Sequence, residues 1–449
     1  MRIAIFGCGH AGLVTGICLS SIGHHVVLFD QDTELLGSLE KARLPIYELH
    51  LDKLFQRSLA EHALSISTHW EEAASNAEIV FLCVTVPQLE NGESDFAVLD
   101  SAAAQIARAE NIPSLVVLRS TVPVQTGKQL KHILTAYCRK PDTRFRIAAN
   151  PQFLREGTAV EDFLHPDRIL LGTEDRFSEE TLREVYRPLL TPGFRCPLHS
   201  KVCPSRKIPE LILTTVHSAE LIKHASNAFL AVKISYANVL ADLCERLGGD
   251  IKEVPKAVGL DKRIGSKFLH PGPGFGGSCF PKDTAAAADL ARQQGYVFEI
   301  IEATMRVNAA TKARMIEKIA DIAGPVRGRV AAILGLSFKP ETDDVRESPA
   351  LAVVADLERA GASVRAFDPA AMASAKVLHP NVHYARDAYD CADGADFLIL
   401  ATEWNEFRAL DLTRLAGLLR SKTMIDLRNI YDPEEMRAAG WRYAGVGRA

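Results

Sequence analysis

The densest chemistry in the chain lies in Gly274-Phe275-Gly276-Gly277-Ser278-Cys279-Phe280-Pro281-Lys282-Asp283, which runs into the helix-forming stretch TAAAADLARQQG. A thiol just ahead of a helix N-terminus, with a lysine three residues on, sits in a positive field that raises its thiolate fraction and makes it a nucleophile. Asp283 is expected to cap that helix at its N-terminus and Gly295 to end it. An arbitrary cysteine in a Gly-rich turn is more often a small buried residue. Loop, helix start and flanking charges together favour chemistry here. The four glycines among Gly272–Gly277 would let backbone amides reach a ligand.

A second constellation is Gly7-Cys8-Gly9-His10-Ala11-Gly12, a G-x-G-x-x-G that follows the apolar run RIAIF and opens a helix that Gly23 could terminate. Such glycines allow a tight turn and let a pyrophosphate approach the helix N-terminus, where free amides and the dipole favour an anion. Asp30 closes the next strand. A carboxylate there accepts from ribose hydroxyls and repels a 2′-phosphate, so NAD is expected and not NADP. Glycines alone can be a structural turn; strand, helix and spaced acid together point to dinucleotide binding by Gly7, Gly9, Gly12 and Asp30.

To position these residues the chain offers two similar lobes. Arg2–Gly7 (RIAIFG) has a counterpart in Arg329–Gly335 (RVAAILG), His24–Asp30 (HHVVLFD) in Ala362–Asp368 (ASVRAFD), and Ala77–Val84 (AEIVFLCV) in Ala395–Thr402 (ADFLILAT). Buried strands alternating with helical stretches make parallel βαβ units covered on both faces. The expected fold is α/β, two doubly wound Rossmann-like domains joined by a long central helix. That helix is His217–Leu247, free of Gly and Pro, and apolar nearly all round, which predicts burial on several sides, a second subunit included. Glu220, Lys223 and Asn227, at i, i+3 and i+7, share one of its faces. A lysine in such a setting is, taken alone, more often snorkelling than catalytic. The expected division is an NAD-binding domain over 1–200, a central helical dimerisation and cysteine-bearing region over 205–315, and a second domain over 320–449. In the last, Gly335 opens no glycine fingerprint.

Bulk properties exclude several classes. A net charge of −4 without a long basic run argues against nucleic-acid or anionic-membrane partners. No stretch approaches the roughly 18 apolar residues of a spanning helix. Ala11–Ile22 reads better as part of a strand–glycine–helix unit than as a signal-peptide core. Nine cysteines, odd in number and without a C-x-x-C pair, predict neither a disulfide framework nor a structural zinc site. The expectation is a reduced, cytoplasmic enzyme with no metal.

GFGGSCFPKD, NPQFLREG (Asn150–Gly157), AELIKHASNAFLAVKISYAN (Ala219–Asn238), DKRIGSKFL (Asp261–Leu269) and FKPETDDVRESPA (Phe338–Ala350) together resemble the UDP-glucose/GDP-mannose dehydrogenase family. The likeness runs from PIYE (Pro45–Glu48) and STVP (Ser120–Pro123) to DLRNIY (Asp426–Tyr431). It implies NAD-dependent four-electron oxidation of a UDP-sugar, UDP-glucose to UDP-glucuronate, by a homodimer; GDP-mannose or a UDP-N-acetylhexosamine are the alternative substrates. By motif position Lys223 and an Asp283-held water remove the hydroxyl proton, Cys279 captures the aldehyde, Asn227 steadies the oxyanion, and Thr121 the water or nicotinamide. Glu156, Lys282 and Arg346 match cofactor contacts, Glu156 also near the reacting carbon. Phe153, Leu154, Phe268, Leu269, Gly272, Gly276, Lys339 and Arg428 match substrate contacts, as do Lys223 and Asn227. Arg263 matches an arginine supplied across a dimer interface. Taken singly, Thr121 could shape a turn, and Arg346, Lys339 and Arg428 could be surface charges.

The chain also departs from the pattern. Gln152 stands where the family has a Glu assigned to thioester hydrolysis. Cys83-Val84-Thr85-Val86-Pro87 replaces V-G-T-P and loses a hydroxyl at Val86, and Leu35 replaces a lysine. Outside the family, a single-step hydroxyacid dehydrogenase or a nucleotide-binding regulator without turnover would share the two-lobed plan.

Overall fold

The computed structural model describes residues 1–87, 95–140, 143–199, 203 and 207–448. The chain divides into two compact units, Met1–Ala225 and Ser226–Ala449.

The first unit is built on eight strands: β1 (Arg2–Phe6), β2 (His25–Phe29), β3 (Leu64–Ile66), β4 (Ile79–Leu82), β5 (Leu115–Leu118), β6 (Ile147–Ala149), β7 (Arg168–Gly172) and β8 (Glu210–Thr214). They lie in the order β3-β2-β1-β4-β5-β6-β7-β8. Every pairing is parallel except β6 with β7, which meet antiparallel at Ala149 and Gly172; that one pair departs from the all-parallel expectation. Side chains alternate across the sheet. Ile3 and Ile5 enter one core layer, whereas Ala4 and Phe6 enter the other. Both faces of β1 are thus covered, which is why RIAIF has no polar alternation.

The second unit repeats the design with six strands: β9 (Val330–Leu334), β10 (Ser363–Phe367), β11 (His383–Tyr384), β12 (Phe397–Leu400), β13 (Thr423–Asp426) and β14 (Arg442–Ala444). Their order is β11-β10-β9-β12-β13-β14, and all pairings are parallel. Ala331 and Ile333 face one layer, Ala332 and Leu334 the other.

The long helix is Val216–Leu247, about 48 Å at 1.5 Å per residue. Gly248, with φ +74°, follows it. Ala228, Ala231, Ala237 and Ala241 are buried, small residues that admit close packing, whereas Phe229, Tyr236, Val239, Leu243 and Leu247 are exposed along one stripe. The end of this helix is fastened to the segment that holds Gly447 and Arg448. Glu245 accepts from the Gly447 N–H at 2.6 Å and from Lys318 at 2.5 Å. The Ile251 N–H donates to the Gly447 carbonyl at 3.0 Å, and Arg448 bridges to Asp250 at 3.0 Å.

No helix among the described residues is long and apolar enough to cross a membrane. The cysteines, scattered in sequence, are not all scattered in space: Cys196 and Cys203 meet beside His165 and His199.

Candidate active site

In the first unit the glycine turn sits between β1 and the helix His10–Ser21. Gly7 has φ +101°, and a Cβ there would lie 2.7 Å from the backbone of Cys83 and Val84, where β4 ends. A Cβ on Gly12 would lie 1.8 Å from the Gly7 carbonyl oxygen, so this position closes the turn. A Cβ on Gly9 would meet nothing within 4 Å. The protein's own packing does not require glycine there, and the open space leaves room for a ligand to approach the backbone. Gly7, Gly9, Asp30, Gln31 and Thr85 line a cavity of about 200 Å³. The residues therefore fit a dinucleotide. Thr85 stands on the cavity wall, and Val86, one position on, is buried in the core.

Asp30 accepts from the Cys8 N–H at 2.6 Å and from the Asp32 N–H at 3.0 Å, tying strand end to glycine turn. The corresponding Asp368 of the second unit differs. It is wholly buried and accepts from the N–H groups of Leu336, Ser337, Ala370 and Ala371, the Ser337 hydroxyl and the Trp404 indole. Its lone pairs are spent inside the lobe.

A residue that sequence reasoning passed over organises the same region. Glu48, buried within PIYE, accepts from the Gly157 and Ala159 N–H groups at 2.8 Å and pairs with His10 Nε2 at 2.9 Å. It fastens the segment that follows NPQFLREG to the glycine turn. The signal was a glutamate in an otherwise apolar and aromatic motif. Gln152 Oε1 accepts from the Leu154 N–H at 2.6 Å, closing a turn around Phe153. Glu156 and Thr121 lie half-buried in loops after β6 and β5.

The opening of the long helix is sewn to the loop after β5. Glu220 accepts from the Gln125 and Gly127 N–H groups at 2.7 and 2.8 Å; burial pushes its carboxyl up and these two bonds oppose the rise. His224 pairs with the Val122 carbonyl at 2.7 Å. Between them Lys223 is buried, its ammonium 5.3 Å from the Phe153 ring centre. A buried, positioned ammonium is not a snorkelling one.

In the second unit Cys279 is half-buried and occupies the N-cap of the helix Phe280–Gln293, which Pro281 opens. Asp283 was expected as that cap. Instead it lies inside the first turn, donating its N–H to the Cys279 carbonyl at 2.8 Å, because Pro281 starts the helix earlier. The Asp283 side chain is fully buried. Its Oδ2 accepts from Asn227 Nδ2 at 2.5 Å, while Oδ1 has Lys282 at 3.8 Å and no hydrogen bond among the described residues. Burial pushes the thiols of Cys8, Cys18, Cys83 and Cys391 well up, that of Cys83 to about 12. Those are core thiols; Cys279 stands partly open at a helix start.

Part of the glycine-rich loop ahead of Cys279 is engaged in packing. The N–H groups of Gly272, Phe275 and Gly277 donate to Asn238, Asn308 and the Arg346 carbonyl. A Cβ on Gly276 would lie 2.2 Å from the Glu347 carbonyl oxygen, and one on Gly277 2.8 Å from the Phe338 ring. The expectation that these amides wait for a ligand is corrected for those three: their N–H groups are taken within the protein, and the glycines admit the Glu347 backbone, the Phe338 ring and the Arg428 side chain. Arg428 packs beneath Gly272 and donates to the Ala401 and Phe338 carbonyls at 2.9 Å, so it is a strut and not a loose surface charge. Lys339 adjoins the Phe338 ring. Phe268 adopts φ +62° and sets its ring edge-on to Phe280; Leu269 beside it is buried. Arg346 forks onto Asp344 and Arg263 onto Asp261, both exposed.

Three family models cover the chain in order: the NAD binding domain at residues 1–190, the central domain at 217–310 and the UDP binding domain at 332–433. The chain belongs to the UDP-glucose/GDP-mannose dehydrogenase family. It is 42% identical to a UDP-glucose 6-dehydrogenase of Rhizobium meliloti, each chain covered in full. Among solved structures of the family it resembles a UDP-glucose dehydrogenase from Pyrobaculum islandicum, with TM-score 0.88, 35% identity, and 100% and 98% of the two chains covered. It also resembles a UDP-D-ManNAc dehydrogenase from Pyrococcus horikoshii, with TM-score 0.83, 25% identity, and 100% and 99% covered. The family's cofactor is NAD, and the glycine turn with Asp30 belongs to its NAD binding domain.

Proposed function

We propose that this enzyme oxidises the C6 hydroxymethyl of UDP-glucose to the carboxylate of UDP-glucuronate, in the cytoplasm and as a homodimer. The observation that carries the reading is Cys279 at the head of a helix whose first turn holds Asp283 bonded to Asn227. Full-length likeness to UDP-glucose dehydrogenases, exceeding that to the ManNAc enzyme in both identity and TM-score, supports the sugar.

NAD, when bound at Gly7, Gly9, Gly12 and Asp30, supplies a hydride acceptor for the sugar carbon. The remaining work falls to side chains. Lys223 is assigned the hydroxyl proton as the first hydride leaves, and Asp283, whose buried Oδ1 has no hydrogen bond among the described residues, is assigned the water of that step. The aldehyde formed is a poor hydride donor until a thiol adds to it. Cys279 therefore forms a C–S bond, and the thiohemiacetal, with Asn227 steadying its oxygen, loses the second hydride to become a thioester. Water attacks the thioester carbon, the C–S bond breaks, and the thiol is regenerated.

Thr121, Glu156, Lys282 and Arg346 are assigned to the cofactor side. Phe153, Leu154, Phe268, Leu269, Gly272, Gly276, Lys339 and Arg428 are assigned to the sugar nucleotide. Homodimerisation is supported by the exposed apolar stripe Phe229, Tyr236, Val239, Leu243 and Leu247. Arg263 would reach the partner from a loop that Lys233 ties to the same helix through the Ile264 and Gly265 carbonyls. Nine free cysteines suit a reducing compartment.

The test counts NADH over a panel of UDP-glucose, GDP-mannose and UDP-N-acetylhexosamines. Two NADH per UDP-glucose with UDP-glucuronate as product is expected. One NADH per substrate would sink the two-step chemistry, and binding without NADH would make the chain a regulator.

A further inference from the structure

Away from these residues, the described part of the first unit holds one group of metal-ligating side chains. His165, Cys196, His199 and Cys203 present ligand atoms that all lie within 4.8 Å of one another. Cys196 Sγ is 3.2 Å from His165 Nε2 and 3.4 Å from His199 Nδ1, and Cys203 Sγ is 3.2 Å from the same His165 nitrogen. Around a tetrahedral zinc, with Zn–S near 2.3 Å and Zn–N near 2.0 Å, ligand atoms stand about 3.3–3.8 Å apart. An adjustment of about 1 Å at the widest pair completes that geometry.

The local structure holds the ligands in place. Cys196-Pro197-Leu198-His199 is a turn closed by the His199 N–H onto the Cys196 carbonyl at 3.2 Å, with Pro197 at its second position. The Leu198 N–H bonds to the Cys196 sulfur, a contact that orients a thiolate ligand. His165 ends the short helix Ala159–Leu164, its own N–H on the Glu161 carbonyl at 2.8 Å, and its ring meets Phe194 edge-on. Both sulfurs are buried in the core layer that includes Phe163, Leu164 and Leu189. Hydrogen bonding alone serves this group poorly. One imidazole nitrogen faces two sulfurs and makes one good N–H bond at a time, whereas a cation among the four atoms engages them all.

We propose that His165, Cys196, His199 and Cys203 form a structural zinc site. Two thiolates and two neutral imidazoles are a soft donor set that selects zinc over magnesium or calcium. On binding, the two thiol protons leave to solvent and the two thiolates balance the charge of Zn²⁺; no electron moves. Four protein ligands leave no open position, so the ion fastens and does not catalyse. It would pin the segment after the helix Arg176–Leu190 to the end of Ala159–Leu164. The sequence expectation of no zinc site rested on the missing C-x-x-C pair. The spacing present is C-x-x-H-x-x-x-C, with its fourth ligand, His165, far upstream.

The test uses the full chain, purified without chelator after growth with added zinc. Metal analysis is expected to find about one zinc per chain. Less than a tenth of that should remain in Cys196→Ser/Cys203→Ser, with Cys138→Ser, outside the group, unchanged. Should the double variant not fold, His199→Ala at the exposed member should weaken zinc binding at least tenfold. Cobalt added to the stripped parent should give visible d–d bands and near-ultraviolet thiolate charge transfer at one equivalent. Neither zinc nor cobalt bands in the parent would overturn the proposal. So would zinc retained by a folded double variant, or a thiol count two short because Cys196 and Cys203 are joined as a disulfide.

Discussion

Asp30 and Asp368 end equivalent strands and read alike, yet only one is available to a ligand. Asp368 is enclosed by six donors, while Asp30 makes two bonds and borders the cavity beside Gly9. A 2′-phosphate brought to Asp30 meets a carboxylate, so NAD should be preferred to NADP by about a hundredfold or more in kcat/KM. Comparable efficiencies would remove Asp30 from the ribose. At Cys279 the expected result of substitution by serine is loss of net acid formation, with NAD and UDP-glucose affinities within a few-fold of the parent by calorimetry. Gln152 stands where the family resemblance implies a glutamate. Its carbonyl already holds the Leu154 N–H, and an amide orients water but takes no proton. We expect Glu156 to act as base for thioester hydrolysis. Intact-protein mass spectrometry during turnover should show no adduct on Cys279 in the parent and a strong one in Glu156→Gln. An adduct in the parent that Gln152→Glu removes would assign the base to position 152 and reverse this expectation.

Among the elements, glycines identical in sequence serve opposite ends, and only space distinguishes them. Gly12→Ala drives a methyl into the Gly7 carbonyl and should cost more than about 3 kcal/mol of stability. Gly9→Ala meets no protein atom. It should leave the melting curve within about 0.5 kcal/mol of the parent while NAD affinity falls tenfold or more, about 1.4 kcal/mol. Equal destabilisation by both would make Gly9 structural. The strands, the glycine turn and the long helix were legible because period, apolar runs and glycine placement are local signals. What was not legible depended on partners far along the chain. Asp283 lost its capping role to a helix that Pro281 starts early. The amides of Gly272, Phe275 and Gly277 were taken by Asn238, Asn308 and Arg346. Glu48 gained its place from Gly157, Ala159 and His10. His24 belongs to the same class: its Nε2 pairs with the Val185 carbonyl at 2.9 Å, and burial holds the imidazole below its ordinary 6.5. The unfolded chain then binds a proton that the folded one refuses. Stability is full above about pH 6.5 and is lost as pH falls below it, and His24→Gln should flatten that limb in acid-unfolding curves.

On the scale of the whole molecule, the apolar stripe of the long helix predicts that Phe229→Lys/Leu243→Lys sediments as a monomer. An unchanged dimer would move the interface elsewhere. If Arg263 serves the partner's site, Arg263→Ala and Cys279→Ser chains, each inactive alone, should recover about a quarter of parental activity when unfolded and refolded together, since half the dimers are mixed and each has one intact site. No recovery would place Arg263 in its own subunit's site.

The fastening of Glu245 to the Gly447 N–H joins positions 202 residues apart. During synthesis the first unit has all its strands once β8 is made and can fold while the rest is still being translated. The second cannot finish at that point: the end of its long helix waits for a partner made 202 residues after Glu245. A ribosome stalled just before Gly447 would therefore carry one completed lobe and one unfinished one, its Glu245 and Lys318 still exposed to whatever meets nascent chains.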